Sequence, residues 1–367
     1  MKPRPLPRHG STSKWPFLLI VFLLSCIATL NKLSLSGRLL NSMSFVGSYS
    51  SPSTIRVMKT TATFTPTNYS VVPGYFIQDE PDFNATNYDP LTDSFGLINK
   101  SADRWQNLIS VIDKLNTESN DLTSYKLVIL ARHGEGFHNV AEATYGTKAW
   151  DDYWSRLTGD GNMTWGPDPK LTPLGIQQAK AVNKAWKKEI AAGAPTPQTL
   201  YSSPLSRSAK TLEITWDDIL IKPLGIRPIF REHFRETIGL HTCDQRETKT
   251  YLQNAFPTFD FEVAFSEHDL LWSDRYQEVR EMISLRCQRL LNEIFSTNNE
   301  PVISITAHGG VIGAVFDVVG HRNHAVYPGQ FVPILVKANG DPNVKSRLFS
   351  GGRAVDGGPM PAEPPKI

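Results

Sequence analysis

The first 78 residues contain no acidic side chain. Asp79 is the first, and before it stand eight basic residues: Lys2, Arg4, Arg8, Lys14, Lys32, Arg38, Arg56 and Lys59. Set those aside and 30 basic residues face 36 acidic ones, so residues 79–367 carry about −6 and the full chain's +2 belongs to its front end. A net-negative body excludes the basic surface that nucleic-acid binding needs. Cysteine is also scarce, with Cys26 near the N-terminus and only Cys243 and Cys287 beyond it. His241 and Cys243 in "GLHTCD" have no second Cys or His pair at ligand spacing, so neither zinc nor another cofactor is expected. No internal repeat is present, which sets aside a repeat architecture.

What the front end does contain is a charge-free stretch from Trp15 to Asn31 with the apolar heart "FLLIVFLLSCIATL", preceded by Lys2, Arg4, Arg8 and Lys14. A positive segment followed by a short apolar run reads as a secretory signal peptide or an uncleaved signal anchor within residues 1–38. Small residues at Cys26 and Ala28, or at Ser34 and Ser36, suit cleavage, whereas Lys32 and Arg38 sit awkwardly for it. An unbroken apolar run is not the amphipathic helix of a mitochondrial presequence. Sequons at Asn68, Asn84, Asn99 and Asn162 favour a glycosylated protein of the secretory pathway, secreted or held by one N-terminal span with its folded domain lumenal or extracellular. Membrane contact is expected through the N-terminal segment alone. An oxidising lumen permits Cys243 and Cys287 to pair, and two buried thiols are the alternative.

Residues 39–70 are Ser/Thr-rich without periodicity and read as a linker. An N-terminal extension over 71–124 carries Ala102, Trp105, Leu108, Ile109, Ile112 and Leu115 at helical spacing, one apolar face packed on the domain that begins near residue 125. From 125 to 340 strands and helices alternate. "KLVILA", "TLYSS", "RPIFRE", "PVISITA" and "GQFVPILVKA" are strands, and between them lie helices such as "LTPLGIQQAKAVNKAWKKEIAAG", with Thr172 at its N-cap and Pro173 at N1, and "DRYQEVREMISLRCQRLLNEIFS". That alternation predicts an α/β fold, a three-layer α/β/α sandwich on a mostly parallel central sheet. The Pro- and Gly-rich tail, 341–367, is expected to lack structure.

Ligands of a parallel sheet bind beyond the carboxyl ends of its strands, and three strands end there in polar clusters. "KLVILA" runs into Arg132, His133 and the rest of "RHGEGFHNV"; "YSS" leads to Arg207; "VISITA" leads to His308. "RPIFREHFRETIG" adds a carboxylate, from Glu232 or Glu236. Two arginines, two histidines and a carboxylate are equipment for phosphoryl transfer.

These residues resemble the signature of the histidine phosphatase superfamily, the phosphoglycerate-mutase-like proteins. Arg132-His133-Gly134, with Glu135 and Asn139, is followed in that family's order by "LTPLGIQQA", "YSSPLSRSAKT" and "TAHGG" over roughly residues 125–337. More narrowly, "RHGEGFHNV", "WDDYW", "RETIGLHTCD" and "SITAHGG" are similar to a fungal branch of phosphoglycerate-mutase-like and phosphomutase-like proteins, some of them acid phosphatases. The resemblance implies a phosphomonoester hydrolase in which His133 attacks phosphorus to form a phosphohistidine. Arg132, Asn139, Arg207 and His308 would bind the phosphoryl oxygens, His308 as second imidazole, and Glu236 rather than Glu232 would serve as general acid and base. The glycines Gly134 and Gly136 would let the loop curl towards the anion, Glu135 would support it, and His138 has no assigned role. The partner is a phosphorylated small molecule. Two alternatives stand: a phosphomutase, disfavoured by Asp151, Asp152 and Asp160 beside Lys148 and Arg156, and a non-catalytic binding protein, which should have lost one of the four core residues. The loops "AWDDYW" and "TWGPDPK" either line the site or cover it.

Overall fold

The computed structural model describes residues 65–341 and 352–365. The leader, with Cys26, and the linker up to residue 64 lie outside the described residues, as does the expected membrane segment. Among the described residues no helix is long and apolar enough to cross a membrane.

Nine strands are present among the described residues: β1 (Asn68–Val71), β2 (Thr123–Arg132), β3 (Thr199–Ser202), β4 (Ile229–Phe230), β5 (Asp260–Phe261), β6 (Tyr276–Gln277), β7 (Val302–Ala307), β8 (Phe331–Asn339) and β9 (Val355–Asp356). Seven form one sheet in the order β1-β8-β2-β7-β3-β4-β5. From β2 to β5 all pairings are parallel, while β8 runs antiparallel between β2 and β1. The α-helices are α1 (Arg104–Glu118), α2 (Phe137–Tyr145), α3 (Thr147–Asp152), α4 (Pro173–Ala191), α5 (Ser206–Trp216), α6 (Lys222–Leu224), α7 (Lys249–Ala255), α8 (Arg280–Thr297) and α9 (Gly309–Val319).

Strand periodicity divides the core in two. In β2, Leu127 and Ile129 face a cluster with Trp105, Leu108 and Ile112 of α1, Trp186 of α4 and Trp216 of α5. Val128 and Leu130 point the other way, towards Ile283 and Leu291 of α8 and Val311 and Val315 of α9. Successive strand side chains alternate faces, so a strand covered on both sides is apolar throughout, which is why "LVIL" reads as an unbroken run. The three expected layers are the result. The N-cap hydroxyl of Thr172 accepts from Gly175 N (3.1 Å) with Pro173 at N1, as the sequence of α4 predicts.

Three expectations change. The linker does not extend to residue 70, because Asn68–Val71 adds an edge strand to β8. The long amphipathic helix starts at Arg280 rather than near Asp274, since Tyr276 and Gln277 pair with Val355 and Asp356. That pairing also makes a two-residue strand, Val355–Asp356, in the tail expected to have no structure. Cys243 and Cys287 are both buried and unpaired, in separate apolar clusters. Of the sequons, Asn84, Asn99 and Asn162 are exposed, and Asn68 opens the edge strand β1.

Candidate active site

Register brings the polar strand ends together. Arg132 pairs with Ala307 across β2 and β7, and Ser202 with Thr306 across β3 and β7, so Arg132-His133, His308 and Ser203 leave adjacent parallel strands at one edge. The His133 and His308 rings lie 5.1 Å apart, and His138, from the first turn of α2, stands 5.3 Å from His133.

His133 is buried, and its Nδ1 donates to the carbonyl of Gly134 at 2.6 Å. A carbonyl only accepts, so the proton sits on Nδ1 and Nε2 keeps its lone pair. Arg207 Nε donates to that Nε2 at 3.3 Å. Burial first, then the charges of Arg207 and Arg132, hold the His133 pKa well below that of free imidazole, so the ring is neutral. Burial and Arg207 depress His138 and His308 in the same way. His308 Nε2 shares a hydrogen bond with Ser203 Oγ (2.7 Å), while its buried Nδ1 has no partner among the described residues.

Arg207 is buried, and its aim is set by its neighbours: Nη1 donates to Cys243 O and Nη2 to Asp244 Oδ1, each at 2.7 Å. The turn that carries it is pinned from outside α5, where Asp168 accepts from Ser206 N (2.7 Å) and Ser206 Oγ (2.6 Å). Burial raises the Asp168 pKa to about 6, against hydrogen bonds from Ser206 and the charge of Arg207 that pull it down. A carboxyl raised above its unfolded value binds protons more tightly when folded, so its contribution to stability is full below about pH 4 and lost as pH rises through about 6. Asp168→Asn is expected to flatten the stability curve over that window, removing a slope worth about 2–3 kcal/mol, checked by chemical denaturation at several pH values.

Arg132 donates from Nη1 to Val326 O (2.9 Å), and its buried Nε has no partner among the described residues. Glu236 accepts from Gly310 N (3.1 Å) with one oxygen and from Thr237 N (3.1 Å) with the other, which sets its carboxyl on the first turn of α9, beside His308. Burial and the charge of Asp244 raise its pKa, partly offset by Gly310 N, Arg132 and Arg207. Glu232 lies elsewhere: its carboxylate is taken by Arg235 (2.9 Å) and Arg246 (3.0 Å) in a buried ion cluster. Of the two candidate acids, Glu236 is the one bonded to the first turn of α9, two residues beyond His308, and acted on by the charges of Arg132 and Arg207.

Asn139 turns its Oδ1 back to cap Gly136 N (3.0 Å), so its side chain also serves the start of α2. Its amide nitrogen makes no hydrogen bond among the described residues. Glu135 anchors the loop, its Oε1 accepting from Thr172 Oγ1 (2.7 Å) and its backbone N donating to Gln178 Oε1 (2.7 Å). The two loop glycines supply space rather than curl, since neither has a positive φ. A Cβ on Gly134 would collide with the backbone of Gly175, and one on Gly136 with the His138 ring. The aromatic loops cover rather than line the cluster: Trp150 and Trp165 form a small core with Ala141 and Cys243, and Tyr145 stacks on Trp154. His241, Cys243 and Asp244 place their ligand atoms within 4.8 Å of one another, but the Asp244 carboxylate is bonded to Arg207, whose charge opposes a cation there.

Sequence reasoning missed Ser203, Asp244 and the pocket position of His138. Ser203 carried a signal, a hydroxyl directly beyond a strand end. His138 carried only its place inside the motif, and Asp244 only its place at the end of "RETIGLHTCD", which does not tie it to the arginine it holds 37 residues away.

A family model for the histidine phosphatase superfamily, branch 1, matches residues 128–323. The chain belongs to that superfamily. It is 38% identical to a probable phosphoglycerate mutase of Arthroderma benhamiae, over 74% of this chain and 84% of that one. It is 34% identical to phosphomutase-like protein 3 of Candida albicans, over 73% of this chain and 79% of the other. A probable phosphoglycerate mutase of Saccharomyces cerevisiae is also 34% identical, over 68% of this chain and 89% of its own. The fungal affinity expected from "RHGEGFHNV" and "SITAHGG" is thereby found. The superfamily comprises phosphatases and mutases, so this member is an enzyme of phosphoryl transfer.

Proposed function

We propose that the chain is a phosphomonoester hydrolase acting on a phosphorylated small molecule through a phosphohistidine. The observation that carries this reading is the state of His133: a neutral imidazole, its proton pinned on Nδ1 by Gly134 O and its unprotonated Nε2 accepting from the Arg207 guanidinium. Such a nitrogen is a nucleophile without needing a base. Arg132 and Arg207, with the donors of Asn139 and His308, neutralise the phosphoryl oxygens as Nε2 attacks and the ester P–O bond breaks. The raised pKa of Glu236 favours its protonated carboxyl, the form that protonates the departing oxygen. Its carboxylate then takes a proton from water, the water oxygen attacks phosphorus, the P–N bond breaks and phosphate leaves. His138, neutral and adjacent, forms a further wall of the pocket.

The names of the fungal relatives favour a second reading, a phosphomutase, in which the phosphohistidine returns its phosphoryl group to another oxygen of the bound substrate rather than to water. Brief incubation with a radiolabelled aryl phosphate, followed by denaturing quench, tests the shared step. A label stable to base and labile to acid is expected. Release of phosphate in step with turnover separates hydrolysis from transfer, and an unlabelled but active enzyme would sink both readings.

A further inference from the structure

Outside the catalytic cluster, the segment from Glu236 to Asp244 has a second face. Its ends touch the cluster, Glu236 at Gly310 and Asp244 at Arg207, while Leu240 between them lines a cavity of about 620 Å³. The fixed wall of that cavity includes Arg156, Trp272 and Arg275, and the other wall is the C-terminal tail, through Asp356, Gly358 and Met360. Arg156 belongs to the same layer as the site, since the carbonyls flanking it, Ser155 O and Leu157 O, accept from Thr242 Oγ1.

The tail supplies both arginines with partners. Arg156 Nη1 donates to Gly358 O (2.9 Å) and Nη2 to Gly357 O (2.6 Å), while its buried Nε has no partner among the described residues. Arg275 donates from Nη2 (3.0 Å) and Nε (3.3 Å) to Asp356 Oδ2. With the tail removed, the wall holds Arg156 and Arg275 against Asp274 alone and is net positive. The tail is weakly attached. Only two residue pairs join β9 to β6, and a ribbon of that size is marginal in water. The Arg275–Asp356 pair is about half exposed, where ion pairs contribute little. The two carbonyls on Arg156 are neutral acceptors, which a guanidinium exchanges favourably for the charged, bidentate oxygens of a phosphate or carboxylate.

We propose that the tail strand is a self-ligand in an outer anion subsite, formed by Arg156 and Arg275, that receives a second acidic group of the substrate. The proposal rests on the phosphomonoesterase reading and deepens it: the substrate class is a phosphate ester bearing a second phosphate or a carboxylate, and the tail competes with that second group. A monophosphate with no other charge does not displace the tail and gains nothing from its absence.

The test uses the full chain, a chain ending at Ser350, and full-length Asp356→Lys, which sets a cation against Arg275. The probes are an aryl monophosphate and a hexose bisphosphate. Removing or repelling the tail is expected to lower the bisphosphate KM about five- to tenfold and the aryl phosphate KM by less than about twofold. Adding Arg156→Ala should cancel the bisphosphate gain. In a His133→Ala background, calorimetric binding of the bisphosphate should show the same order. Equal changes for both probes, or a gain that survives Arg156→Ala, would overturn the proposal. If the full chain hydrolyses neither probe, the hydrolase reading fails, and the calorimetric series still decides the subsite: tighter binding without the tail, lost with Arg156→Ala, upholds it, and unchanged binding overturns it.

Discussion

His133→Ala is expected to lower kcat for aryl phosphate hydrolysis by about 10⁴-fold or more while changing KM by less than about fivefold. The reason lies in how the pocket divides its work. Arg132, Arg207 and Asn139 lie on other atoms of the site and would still bind a phosphate dianion, so affinity survives. The covalent step does not, because the neighbouring imidazoles are not equivalent replacements: His308 Nε2 is engaged with Ser203 Oγ, and the buried Nδ1 of His138 packs on Gly136. Loss of one neutral ring bonded, among the described residues, to Gly134 O and Arg207 alone should leave the fold intact. The check is steady-state kinetics beside thermal melting and the acid-labile label. Retention of about a tenth of the activity with an intact label would eliminate His133 as the nucleophile.

Asp244→Asn should be the next most damaging change, although Asp244 lies outside the signature motif. Its carboxylate is the only charged partner of the buried Arg207 side chain among the described residues, at 2.7 Å. Removing one charge of a buried pair leaves the other uncompensated, and the asparagine retains a hydrogen bond, so a loss of about 2–4 kcal/mol in stability is expected. With Arg207 less firmly aimed, kcat/KM should fall about 10²-fold. A separate signature comes from Glu236. The Asp244 charge helps burial to raise the pKa of the acid, so its removal lowers that pKa. The protonated form is the one that protonates the leaving group, and the alkaline limb of the kcat profile should therefore move to lower pH. An alkaline limb that stays in place in Asp244→Asn would show that the two carboxylates are not coupled through the reaction.

How much of this was legible in the sequence depended on the range of the cause. β2 could be read because a strand buried on both faces must be apolar throughout, and the motif behind it because a parallel sheet presents its ligands at strand ends. α4 could be read from Thr172 and Pro173, whose effect reaches no farther than one turn. β1, four residues in a Ser/Thr-rich region of which only Tyr69 is buried, is too short to show an alternating pattern in the sequence. Nor does β9 show one; it exists because Tyr276 and Gln277, about 80 residues away, give it a partner. The same loss of two residues to pairing moved the start of α8.

The sequence by itself determined where the polar cluster stands: Arg132, His133, Arg207 and His308 lie directly beyond strands or in the first turn of the next helix, where local patterning alone fixes their edge of the sheet. Only the tertiary structure decided which groups work with them. Glu236 is separated from Glu232 by what each touches, a backbone N–H of α9 in one case and two arginines in the other. Asp244 became the holder of Arg207, His138 became a wall of the pocket, and the tail became a strand over two arginines. Burial, charge and pairing between residues distant in the chain are set by packing, and no short stretch of sequence contains both halves of such a contact.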